Sequence, residues 1–106
     1  MDLRTQSIGM AFYRAVTHIG KHDAAYVAAN EEYIDAIDAL PHRHASEEPT
    51  PEQLKRLKEA YRKCSQERER IRKLFEDELE KSGYAETPEN FGKLVDEILE
   101  RMGNGS

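Results

Sequence analysis

Between Phe12 and Leu40 the large side chains recur every seven residues, at Phe12, Ile19, Tyr26, Tyr33 and Leu40. A complementary series of mostly small ones falls at Ile8, Ala15, His22, Ala29 and Ala36. Interleaved, the two make a 4-3-4-3 seam, the spacing of a helix face packed along another helix. The phase passes through Gly20 without a slip, and a glycine inside a helix costs only about 1 kcal/mol relative to alanine. The pattern predicts one long helix over about 5–40, kinked or broken near Gly20. Leu54, Leu57, Tyr61, Cys64, Arg68, Ile71 and Phe75 continue the same rhythm and predict a helix over about 51–82. Phe91, Leu94, Val95, Ile98, Leu99 and Met102 predict a third over about 88–102. No segment alternates apolar and polar residues between turn signals, so no strand is expected.

The punctuation agrees with these spans. TPEQL at 50–54 and TPENF at 87–91 each set Thr at the N-cap, Pro at the first helical position and an acid after it. Gln53 completes a capping-box pattern with Thr50. Pro41, Gly83 and Gly103 mark the ends, and PHRHASEEPT at 41–50 reads as a polar loop. Two helices of similar length joined by a short loop fold into an antiparallel hairpin. The expected fold is all-α: a long hairpin with a short C-terminal helix, as a single domain over 1–106. Folding at the loop brings Leu40 to Leu54, Tyr33 to Tyr61, Tyr26 to Arg68 and Ile19 to Phe75. The last helix returns onto the end holding Phe12, Ile19, Phe75 and Leu79.

This plan is unbalanced. Three helices share one end, while two must cover Val27, Ile34, Ile37, Leu40, Leu54, Leu57 and Tyr61 at the loop end. An apolar surface of that size left open marks an interface. Those seven residues are the expected protein-binding site, facing a second copy, another protein, or each in turn.

Composition narrows the function. Charged residues make up 35% of the 106, there is no Trp, and the formal net charge is −5. An acidic chain argues against a nucleic-acid binder. The stretch 55–73 runs against that balance, with nine basic residues and three acidic ones. Within the hairpin, however, Asp38 falls opposite Lys55 and Arg56, Glu31 opposite Arg62 and Lys63, and Asp23 opposite Arg70. The basic stretch is therefore expected to find its acids inside the molecule. Arg68, inside the seam, reads as a register-setting residue whose stem packs on Tyr26. No apolar run approaches a membrane span, and one cysteine fits a reducing compartment, so a cytoplasmic protein is expected.

Candidate chemistry is sparse. His18 and His22, in HIGKHD at 18–23, have the four-residue spacing that places two ligands on one helix face. A zinc site needs three or four ligands, and His42 and His44 lie too far along the hairpin to join them. No metal site and no cofactor are expected. Cys64 falls on the packed face, where a thiol is an inert small hydrophobe. No nucleophile, phosphate-loop or metalloprotease motif occurs, so no enzyme is expected.

AFYRAVTHIG at 11–20 and NEEYIDAIDAL at 30–40, on an acidic hairpin-plus-short-helix plan, resemble the bacterial QslA-type antiactivators. Members of that family bind LuxR-type quorum-sensing regulators and prevent their dimerisation. The resemblance implies a regulatory protein that sequesters a transcription activator, without touching DNA itself. A homodimer is the expected free form. Alternatives on the same plan are a helical chaperone or adaptor for another client, a phage-type inhibitor, and a histidine-based metal-binding protein.

Overall fold

The computed structural model describes residues 3–41 and 47–103, all helix and connecting turns, with no strand among them. Four helices follow one another: α1 (Leu3–Gly20), α2 (Ala24–Asp38), α3 (Pro51–Ser82) and α4 (Pro88–Gly103). The all-α hairpin with a short C-terminal helix is the observed architecture. The element expected over 5–40, kinked or broken near Gly20, is broken there into two helices. Of the loop expected at 41–50, residues 42–46 lie outside the described residues, and so do His42 and His44.

The break has a local cause. Asp23 adopts an extended backbone (φ −110°, ψ 121°), and its carboxylate accepts the amide of Tyr26 at 2.9 Å, capping α2. Between the helices, His22 donates to Ile19 and Asp23 to Gly20 in tight backbone turns. Gly20 is required for another reason. The Tyr26 ring lies across it so closely that a β-carbon there would stand 2.8 Å from three ring atoms. The turn also carries His22 out of the seam and into solvent.

The other boundaries follow their cap signals. Thr50 accepts from the Gln53 amide at 3.1 Å, while the Gln53 side chain accepts the Thr50 amide at 2.9 Å, a complete capping box. Gln53 also donates from its side chain to the Ala39 carbonyl at 3.0 Å, tying the start of α3 to the end of α2. Gly83 closes α3 in the left-handed conformation at φ 72°. Thr87 accepts from the Asn90 amide at the start of α4.

The core lies at one end. Ile19 and Tyr26, Ile71, Phe75 and Leu79 of α3, and Phe91, Leu94, Val95 and Ile98 of α4 form one buried cluster with Ala15 and Val16. At its centre Phe12, Phe75 and Phe91 meet pairwise edge-to-face, with ring centroids 5.3–5.8 Å apart. Toward the loop, the buried hydrophobic residues of the α2–α3 seam among the described residues are Ala29, Ala36, Ala60 and Cys64. Small residues let the two helices approach closely, and close approach pushes the large residues out to the flanks. A radius of gyration of 17.4 Å against about 13 Å for a compact chain of this length, and a thinnest dimension of 17 Å, describe a flat molecule. Among the described residues α2 packs on α3, and neither α1 nor α4 packs substantially on α2. Among the described residues, nothing lies over the α2–α3 half.

Candidate functional site: the open face of the hairpin

The seven residues expected at the interface divide by exposure. Ile34 (55%), Ile37 (43%), Leu54 (42%) and Tyr61 (55%) are exposed large hydrophobics. Val27, Leu40 and Leu57 are half-buried. Helical phase decides whether the exposed four share a side. With 3.6 residues per turn, Ile37, Ile34 and Val27 fan out from the buried Ala29–Ala36 line toward one flank of α2. Tyr61 and Leu54 fan out from the Ala60–Cys64 line of α3. Because the helices run antiparallel, these two flanks open onto the same face. The opposite face is marked by the ion pair of Glu32 with Lys63 at 3.4 Å, built from residues turned the other way on each helix.

Tyr61 is anchored to this face by an edge-on contact with Tyr33, centroids 5.6 Å apart, as the folded hairpin predicts. Further along, Cys64 is buried and its thiol donates to the Asn30 side-chain oxygen at 2.9 Å. Arg68 reaches over the same thiol, with its guanidinium nitrogen 4.0 Å from the sulfur. Burial opposes the charge on Arg68, yet the neighbouring Tyr26 hydroxyl and Cys64 outweigh it and hold the guanidinium pKa above its usual value. The expected meeting of Arg68 and Tyr26 is thus observed. Two exposed side chains on α1, Met10 and Tyr13, fall outside the seven-residue series and were not anticipated.

The charge pairing departs from expectation in a consistent direction. Arg70 does meet Asp23, at 2.5 Å, and also Glu67. For Asp23, burial alone would raise the carboxyl pKa. Hydrogen bonds from Arg70 and the Tyr26 amide prevail and set it below the ordinary carboxylate value. Arg72 is taken by Glu69 and Glu76 on its own helix. Glu31 and Asp38, however, make no ion pair among the described residues, and neither do Lys55, Lys58 and Arg62. The expected partner of Lys63 was Glu31, and the observed one is Glu32, one position round the helix. Setting Ala29 and Ala36 inward turns Glu31 and Asp38 to the outer edge of α2, away from α3. The hairpin therefore has an acidic outer edge on α2 and a basic one on α3, with the apolar residues between them.

His18 and His22 stand with ring centroids 5.7 Å apart. No group of three or more metal-ligating side chains gathers among the described residues. His18 instead lines a shallow groove between α1 and α4 with Arg14, Phe91 and Asp96. Among the described residues no helix is long and apolar enough to cross a membrane. No family model matches the chain, and comparison with characterised proteins and with solved structures gave no match.

Proposed function

We propose that this chain is a small non-catalytic regulatory protein that binds another protein through the open face of its hairpin and blocks that protein's self-association. The observation that carries the reading is the placement of Ile34, Ile37, Leu54 and Tyr61, exposed together on one face with no described element over them. Large apolar side chains grouped in this way are surplus to folding, because the core that holds the helices together sits at the other end. A rigid helical face of this kind enters an apolar groove on a partner, or takes the place of a like helix in the partner's own oligomer contact. A LuxR-type activator is the partner that the QslA-type resemblance implies, and its dimer contact is the surface to be occupied.

The test is affinity capture with the tagged chain, run beside a variant carrying Ile34→Asp and Leu54→Asp. The expected result is a protein retained by the wild-type chain alone, whose dimer fraction falls when the chain is added. Equal retention by both chains, or an unchanged dimer fraction, would overturn the proposal.

A further inference from the structure

We propose that the open face is self-complementary, and that two copies pack face to face into a four-helix bundle with the two-fold axis parallel to the helices. This rests on the same surface as the proposed function, but it names a different occupant: a second copy of this chain. Charge placement selects both the occupant and the axis. Across the face, the order is an acidic edge (Glu31, Asp38), an apolar band, and a basic edge (Lys58, Arg62), with every one of these charges exposed. None of the four has an ion-pair partner among the described residues.

A rotation about an axis running along the helices lays α2 of one copy over α3 of the other. The contact between Tyr33 and Tyr61 fixes the hairpin register, so each residue of α2 is level with a known residue of α3. That register carries over between copies, because rotation about this axis does not shift levels along it. Ile34 then meets the second copy's Tyr61, and Ile37 meets its Leu54 and Leu57. Glu31 comes level with the second copy's Arg62, and Asp38 comes level with its Lys55 and Lys58. Each pairing occurs twice, as an isologous contact requires. An axis across the helices would instead lay α2 on α2. That would bring four acidic edge groups together and leave the basic edges facing each other, an arrangement like charges disfavour. The bundle also gives the two-helix half a second layer, the usual way for such a hairpin to cover its apolar flanks.

Sedimentation equilibrium on the full chain tests this, at concentrations up to the millimolar range. The expected result is a dimer whose association weakens roughly tenfold or more with Glu31→Lys and Asp38→Lys together, since the charge pairings on both edges turn repulsive. Adding Lys58→Glu and Arg62→Glu to the same chain restores it. Far-UV circular dichroism of each variant confirms that the helices persist, since all four positions are solvent-facing. A wild-type chain that stays monomeric overturns the proposal. So does a dimer indifferent to the first reversal, which is the signature of the crosswise axis. These outcomes are separate from those of the capture experiment. A strict monomer that still captures a partner removes the dimer and leaves the regulatory reading in place, and a charge-dependent dimer that captures nothing does the reverse.

Discussion

Gly20→Ala puts the account of the α1–α2 break at risk with one methyl group. On helix propensity alone the substitution stabilises, because alanine is about 1 kcal/mol better than glycine inside a helix. No positive φ opposes it, since Gly83 is the one residue with a left-handed backbone among those described. What opposes it is Tyr26, three of whose ring atoms would stand 2.8 Å from the new β-carbon. Real β-carbons do not approach that closely, so something must move. Tyr26 is buried within the main cluster, so its ring cannot swing away without disturbing its neighbours there. Forced overpacking of a core typically costs about 1–3 kcal/mol. The clash outweighs the propensity gain, and Gly20→Ala is expected to destabilise by about 1 kcal/mol. In a Tyr26→Ala background the obstacle is gone, and the same substitution is expected to stabilise by up to about 1 kcal/mol. Urea unfolding followed by circular dichroism on the four chains of the cycle reads both values. A wild-type background in which Gly20→Ala stabilises, or an equal effect in both backgrounds, would refute the packing of Tyr26 on Gly20.

Two further outcomes follow from the cap and the core. The lowered pKa of Asp23 means that the folded chain binds fewer protons there than the unfolded chain between the two pKa values, so stability from this group rises with pH across that window. It is complete above the ordinary carboxylate range and is lost as pH falls through the lowered folded value. Asp23→Asn keeps the cap and is expected to remove that acid-side component, seen as a smaller difference in urea midpoint between neutral and acidic pH. Phe75→Ala removes the ring shared by Phe12 and Phe91 and is expected to cost about 3–5 kcal/mol, measured by urea unfolding.

Legibility from sequence varied with the kind of signal. The helix over 51–82 was readable almost to the residue, because Thr50, Pro51, Gln53 and Gly83 carry their cap geometry in their chemistry. The break after Gly20 was visible only as an alternative. Its signs, Gly20 and Asp23, are in the sequence, but the seven-residue spacing runs through them unbroken. The ring of Tyr26 lying on Gly20 is a tertiary contact that no local pattern announces. The exposed apolar residues were foreseeable by asking how much two helices can cover. Which face they occupy, and the stranding of Glu31 and Asp38 on an outer edge, depended on the rotation of α2. That rotation is fixed by the close approach at Ala29 and Ala36, where seam spacing alone gave no reason to choose Glu32 over Glu31 as the partner of Lys63.

The claim on which the functional reading depends is that large apolar side chains at the hairpin's open end serve no purpose inside the chain's own fold. Urea unfolding of an Ile34→Asp, Leu54→Asp double variant, at concentrations low enough to keep the wild-type chain monomeric, measures that directly. With both side chains exposed, the variant is expected to match the wild-type stability within about 1 kcal/mol, about 0.5 kcal/mol for each surface substitution. A loss of several kcal/mol, the size expected for carboxylates forced into a packed interior, would show that the fold itself needs this face covered.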